Sequence, residues 1–420
     1  MHLDATAIDF GGGPADGGIA TASRDFAPVG DGYRLTVGNG LIAFTVDRLR
    51  RSSGELGGEL DVVCAVPGAM TTDDRGSLLT ANFNLSSLRA RQDRAKALKE
   101  RSQLGADWFG LLEEFCQRVL AAERAGQPAV HLRDVDRPAP DASVDMDGLR
   151  ILTRHPMIVF GDGGTGKSMI ALHVAGELVR RGMRVLLADW ELDGSDHRER
   201  LERLFGPEMP DVLYARCDRP LVAEVDRLRR IVSDQALDYI LFDSVAFACD
   251  GPPESAEAAA NYFRAVRSLG VGSLHVAHVN RSENGDQKPF GSAFWHNGAR
   301  STWFVSKSAD DADAGTLTVG LFNRKANTGP IRPAVGLELH FGAERTDVRQ
   351  VDLADVSDLA SKVPTWQRIK SALRHGPMTL DALVGEVEGK RETVARTIRR
   401  SRQFTKLDDG RISLVERRCA

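Results

Sequence analysis

Residues 157–168 read Met-Ile-Val-Phe-Gly-Asp-Gly-Gly-Thr-Gly-Lys-Ser. An apolar run ends in Gly161, Asp162, Gly163, Gly164, Thr165, Gly166, Lys167 and Ser168, which is the spacing of a phosphate-binding loop. Glycines let successive backbone N–H groups turn inward around an anion. Lys167 brings a point charge to the β and γ phosphates of a nucleoside triphosphate, and the Ser168 hydroxyl is a ligand for Mg2+. The amphipathic stretch 169–181, closed by Gly182, supplies a helix whose N-terminus favours the same anion. A merely flexible Gly-rich turn is the alternative, and the strand–loop–helix context argues against it.

Two further carboxylates fit that chemistry. Ile240-Leu241-Phe242-Asp243 is an apolar run ending in an acid, which suits the second element of the magnesium site, Asp243 holding the ion through water. Ser244, not Glu, follows it, so a water-activating carboxylate must come from elsewhere. Leu187-Ala188-Asp189-Trp190-Glu191 ends another apolar run, and a carboxylate at the tip of a neighbouring strand can face the γ-phosphate. Glu191 is the candidate base, with Asp189 and Asp193 as competitors. The other reading of Glu191 is a cap on the helix that follows.

The elements that must position these residues follow from periodicity. Short apolar runs at 157–160, 185–188, 239–242, 274–277 and 302–305 alternate with helical stretches. That pattern predicts an α/β fold, a mainly parallel sheet with helices on both faces. Runs at 316–322 and 335–341 add a hairpin-like end. Residues 1–135 read as a small β-rich unit with alternating runs at 33–37, 41–46 and 60–66, turning helical from Leu85 and again over 107–124. They carry no recognisable catalytic motif. The segment Arg137-Pro138-Ala139-Pro140-Asp141 reads as a linker into a core over 136–341, residues 342–363 as an exposed linker, and 364–420 as a separate small unit.

The phosphate loop, a glutamate after the second strand and an aspartate without an adjacent glutamate resemble the RecA-type ATPase core. The stretch from Lys288 to Ser301 resembles the loop and helix of the hexameric replicative helicases of the DnaB and plasmid RepA types, and the resemblance as a whole covers roughly residues 150–341. The resemblance implies ATP and Mg2+ as ligands and His278 as a sensor of the γ-phosphate. It also implies a loop and helix in which Trp295, His296, Asn297 and Gly298 touch single-stranded DNA in a central channel, Phe294 or Trp295 stacking on a base. A packed helix start is the other reading of that segment. The family's trans-acting lysine and arginine correspond to Lys325 and to Asn327, a departure for which Arg324 offers a substitute; a solvated strand-end charge is the other reading of Arg324. The primase-binding helical hairpin of the bacterial replicative helicase has no counterpart in residues 1–135. The resemblance implies a homo-oligomer, a hexamer, working as a helicase or single-strand translocase in replication of a plasmid, phage or integrated element. A regulatory or defence ATPase that switches DNA or partner binding without unwinding is the alternative.

Residues 366–374, 380–387 and 392–402 read as three short helices with Thr365 and Thr379 as N-caps, followed by a hairpin turning at Asp409-Gly410. That order is the winged helix-turn-helix pattern. Its third helix carries Arg396, Arg399 and Arg400, and residues 390–411 hold eight basic and three acidic side chains. The expected partner is duplex DNA, with a protein-docking role as the alternative. The patch is local, because the 420-residue chain holds 55 Lys plus Arg against 59 Asp plus Glu, a net charge of −4. No apolar run approaches the ~18–20 residues of a membrane span. The Gly-rich acidic start does not read as a signal peptide, so none is expected, and the five scattered cysteines form no CxxC pair. Reduced thiols, no structural zinc and a cytoplasmic location are expected.

Overall fold

The computed structural model describes residues 22–30, 32–73, 76–126, 129–137, 143–279, 289, 293–309 and 315–415. The chain divides into two compact units between Arg137 and Pro138. That boundary falls within the proline-rich segment read as a linker.

The first unit is an antiparallel meander of β1 (Arg24–Val29), β2 (Gly32–Val37), β3 (Ile42–Ser52), β4 (Glu55–Cys64) and β5 (Ser77–Asn84), in that spatial order. Alternate side chains along the strands face one way, so Leu35, Val37, Ile42, Phe44, Val46, Leu60 and Val62 line one side and are buried. Two helices cover them: α1 (Leu88–Ser102), capped by Ser87, and α2 (Trp108–Ala125), capped by Asp107. The α2 stripe of Trp108, Leu111, Leu112, Phe115, Cys116 and Val119 closes that core.

The second unit opens with a hairpin of β6 (Ser143–Met146) and β7 (Leu149–Leu152), which the periodicity did not predict. The large sheet and its helices then follow as β8 (Pro156–Gly161), α3 (Lys167–Arg180), β9 (Val185–Asp189), α4 (Gly194–Phe205), β10 (Leu213–Arg216), α5 (Leu221–Asp234), β11 (Tyr239–Asp243), α6 (Val245–Ala248), α7 (Ala256–Ser268) and β12 (Gly272–His278). Beyond these come α8 (Ala293–Gly298), β13 (Ser301–Lys307), β14 (Thr316–Ala326), β15 (Val335–Phe341) and β16 (Thr346–Val351). The nine strands lie in the order β10-β9-β11-β12-β8-β13-β14-β15-β16. All pairings from β10 to β13 are parallel, and β14 to β16 close the sheet antiparallel. β8, β9 and β11 are apolar up to their last residue because both faces are covered, while β12 buries Ser273 and His275 among its apolar residues. Along β11, Tyr239 and Leu241 pack on one side with Leu172 of α3 and Leu201 of α4. Ile240 and Phe242 pack on the other with Leu228 of α5 and Tyr262 of α7. This is the expected α/β fold, a mainly parallel sheet with helices on both faces, accompanied by a smaller antiparallel sheet in the N-terminal unit.

Residues 342–363 are not an exposed linker. β16 extends the large sheet, and a 3-10 turn at Leu353–Asp355 leads into α9 (Ser357–Ala360). Leu353, Leu359 and Val363 sink into the core beside Phe304 and Phe322. Short polar stretches between these residues hid the three apolar anchors from a reading by composition.

The C-terminal segment forms α10 (Thr365–Ala372), α11 (Leu380–Glu386), α12 (Arg391–Arg400) and the strands β17 (Phe404–Lys406) and β18 (Ile412–Leu414). Ile369, Leu373, Leu383, Val394, Phe404 and Ile412 make its core. Thr379 caps α11 through the Ala382 N–H. Thr365, by contrast, is the first residue of α10, and Pro364 holds the cap position.

Candidate active site

Strand β8 is buried from Pro156 to Gly161 and delivers the chain into the phosphate loop. A Cβ at Gly161 would collide with the Val305 carbonyl of β13, so the loop lies hard against the sheet. Gly164 and Gly166 take φ of +68° and +73°, left-handed values that side chains resist. A Cβ at Gly163 or Gly164 would meet nothing within 4 Å, so that side of the loop faces open space. Gly166 caps α3 without a side-chain bond, so an anion has access to the helix's first amides. The Lys167 Nζ donates to the Asp162 carbonyl at 2.6 Å and lies 3.4 Å from Thr165 Oγ1. Burial lowers its pKa, opposed by the charges of Asp243, Glu191 and Asp162.

Asp243 ends β11 and is buried. Burial raises its pKa to about 6; a hydrogen bond from Ser168 opposes the shift, and the charge of Glu191 adds to it. Its Oδ1 is buried with no partner among the described residues. An orphaned carboxylate oxygen beside a serine hydroxyl is a hard-oxygen donor set of the kind Mg2+ takes, so these residues fit the ion.

Strand β9 runs beside β11 with Asp189 in register with Asp243, and the Trp190 N–H donates to the Asp243 carbonyl at 2.7 Å. Glu191 follows, exposed, within electrostatic reach of Lys167, Asp243 and His278. Its competitors are engaged elsewhere. Asp193 caps α4 through the Ser195 and Asp196 amides, so the capping role open to Glu191 is already filled. Asp189 is fully buried, and both its oxygens accept hydrogen bonds. On the other side, β12 ends at His278, in register with Gly161. Burial lowers the pKa of that half-buried imidazole, and Lys167 lowers it further. Lys167 with Ser168, Glu191, Asp243 and His278, from four separate stretches of the chain, therefore meet at one end of the parallel strands.

The segment beyond β12 corrects two expectations. Trp295 is fully buried, its indole N–H donating to the Pro253 carbonyl and its ring packed on Tyr262 and Phe263 at 5.1 and 5.6 Å, so it offers no face for a base. His296 Nδ1 lies 3.2 Å from Thr302 Oγ1, and a Cβ at Gly298 would run into the Phe263 ring. The exposed residues of α8 are Ala293, Phe294, at 51%, and Asn297. Residues 280–288 and 290–292 of the resemblance lie outside the described residues. Lys325 is not a free reaching group either. Its Nζ donates to the carbonyls of His296, Asn297 and Ala299 at 2.7, 3.0 and 2.8 Å, closing the C-terminal end of α8 in its own chain. Arg324 is exposed at the end of β14, its guanidinium 5.4 and 5.9 Å from the Phe304 and Phe322 ring centres.

Arg396, Arg399 and Arg400 are exposed on α12. The first two line a groove of about 930 Å³ between α12 and the β17–β18 hairpin, with Arg391 and Lys406 on the same walls; Arg400 is not part of it. What sequence reasoning missed is strand β10, whose Tyr214 and Arg216 reach Asp189. The alternation of strands and helices was the available signal, since a strand is due between α4 and α5.

A family model described as an AAA domain matches residues 122–284. The match takes in the phosphate loop, Glu191, Asp243 and His278. Three solved structures are similar to the chain at low identity. The ATPase domain of G40P shares 14% identity, with 47% of this chain and 85% of that chain covered and a TM-score of 0.38. The flagellar accessory protein FlaH from Methanocaldococcus jannaschii shares 13%, with 50% and 99% covered and a TM-score of 0.38. A KaiC-like protein from Pyrococcus horikoshii OT3 shares 12%, with 47% and 91% covered and a TM-score of 0.36. No curated protein matches the chain. Among the described residues no helix is long and apolar enough to cross a membrane.

Proposed function

We propose that this ATPase is a DNA-dependent ring motor, a helicase or single-strand translocase serving replication of a plasmid, phage or integrated element. The observation that carries the reading is the meeting of Lys167, Ser168, Glu191, Asp243 and His278, with β12 leading from His278 directly into the segment that ends in α8. Lys167 and the loop amides hold the phosphates, Glu191 takes the proton of the attacking water, and His278 senses the γ-phosphate. Ser168 and Asp243 would hold Mg2+, which would supply positive charge to offset that of the phosphates. Phe294 and Asn297 present a stacking ring and an amide to single-stranded DNA, in place of the buried Trp295. Arg324 is the group that completes a neighbour's site in a hexamer. The C-terminal helices and hairpin are read as a winged helix whose arginine-lined groove meets duplex phosphates.

A second reading, a regulatory or defence ATPase, draws on how the C-terminal helices are attached. The Gln367 side chain makes a pair of bonds with the backbone of Ala334, at 2.7 and 2.8 Å, and Ser371 and Arg374 both donate to Asp352. A unit clamped in this way moves with the ATPase body. Two assays separate the readings: phosphate release with and without single-stranded DNA, and strand displacement on a forked duplex. A motor shows stimulation and ATP-dependent displacement. Stimulation without displacement favours the switch, and phosphate release indifferent to DNA sinks the motor and leaves only a switch of partner binding.

A further inference from the structure

We infer that Asp189, braced from the edge strand β10 by Tyr214 and Arg216, is a positioning residue for hydrolysis: it fixes the backbone turn that aims Glu191 at the γ-phosphate. The inference rests on reading Glu191 as the base. Glu191 is an exposed side chain on a turn, and such a group points reliably only if its backbone is held. Asp189 Oδ1 accepts the N–H of Glu191 itself at 2.9 Å and that of Leu192 at 3.1 Å. Oδ2 accepts the Tyr214 hydroxyl at 3.0 Å and Arg216 Nη1 at 3.2 Å. Arg216 also donates to the Leu192 carbonyl, gripping the turn from its far side. The near side is pinned by the Trp190 amide on Asp243 and by its indole N–H on the Arg219 carbonyl at 2.8 Å. The Cys217 N–H donates to the Asp189 carbonyl, locking β10 to β9 at the same residue. His197 Nε2 sits 3.4 Å from Oδ1, within ionic reach but short of hydrogen-bond geometry.

Burial would raise the Asp189 pKa, yet the His197 contact and the two amides outweigh it and hold the group at about 2. The carboxylate is therefore charged wherever the enzyme is assayed. With both oxygens committed to the turn and to β10, it is not itself placed to take a proton from water.

The test uses the full chain and basal ATP turnover. Tyr214→Phe with Arg216→Met removes the brace from the half-exposed edge and leaves the buried carboxylate in place. The expected result is a kcat about 10-fold lower with KM for ATP and ADP affinity little changed, since a misplacement of about 1 Å can cost up to 10²-fold. In a Glu191→Gln background the same pair should produce no further fall, because both changes disable one group. Arg216→Lys should restore part of the rate in the Tyr214-intact chain. A parental kcat in the double variant, or losses that multiply with Glu191→Gln, would overturn the positioning role and leave the base reading standing. A parental kcat for Glu191→Gln alone would overturn the base reading and the inference with it.

Discussion

Replacing Lys325 with Ala separates two roles for that lysine, one in its own chain and one across a subunit boundary. Its Nζ meets three carbonyls at the end of α8, groups that a helix terminus leaves without intrahelical partners. A hydrogen bond from a charged donor contributes about 1.5–3 kcal/mol net, and a cation at a helix C-terminus about 0.3–2 kcal/mol. These do not sum here. Lys325 is only partly buried, and burial, with Arg300 nearby, lowers its pKa, so desolvation offsets part of the gain. About 2 kcal/mol for the whole cap is a reasonable scale. That corresponds to about a 30-fold loss of hydrogen-exchange protection in the amides of residues 293–300, a local change that global unfolding would blur. Exchange measured by mass spectrometry on full-length Lys325→Ala reads it directly. Turnover of Lys325→Ala should stay within an order of magnitude of the parent. Arg324→Ala should lose turnover and recover part of it when mixed with Lys167→Ala subunits. Unchanged protection over α8, together with rescue of Lys325→Ala by Lys167→Ala, would refute the cap and return Lys325 to the neighbouring site.

Lys167→Ala should abolish turnover while circular dichroism stays parental, because Asp162 to Ser168 holds no other basic residue to replace its charge; equal turnover would end the phosphate-site assignment. Leu359→Ala should cost about 2–5 kcal/mol in urea unfolding of the second unit, since Leu359 is fully buried. A cost under about 0.5 kcal/mol would mean that residues 342–363 are dispensable packing after all. Deleting residues 364–420 should spare basal turnover and weaken duplex binding with a shallower salt dependence; unchanged affinity and slope would favour a protein-docking role. Acid should loosen the segment 352–363. At Asp352 burial is outweighed by bonds from the Ala354 amide and Ser371, and at Asp358 by bonds from Ala309 and Ser308, so both pKa values lie below the unfolded value. Their stabilisation is complete above about pH 4 and is lost as pH falls through the folded-state values. Proteolytic nicking in 352–363 should rise there and be nearly pH-independent in an Asp352→Asn/Asp358→Asn chain.

Local chemistry was legible in the sequence. The loop from Gly161 to Ser168 announces itself because phosphate binding needs consecutive small residues and a lysine at fixed spacing along one piece of chain. The central strands were legible because burial on both faces demands unbroken apolar runs, and the alternation of β2 to β4 because burial on one face demands a period of two. Tertiary structure decided what depends on neighbours far away in sequence. β10 has only four residues and two polar side chains, so nothing local marks it as a strand; pairing with β9 makes it one, and only then do Tyr214 and Arg216 reach Asp189. Trp295 reads equally well as a stacking ring or a core ring until Tyr262 and Phe263 close over it. Lys325 reads as a charge at a strand end until β13 and β14 set it against the carbonyls of α8. Residues 342–363 read as solvent-facing because three apolar anchors among polar residues carry no period, and the sheet edge alone shows what they bury against. A short-range pattern is written where its residues are contiguous, whereas the occupation of a carboxylate, an ammonium or a ring is set by groups that only folding brings within 3 to 6 Å.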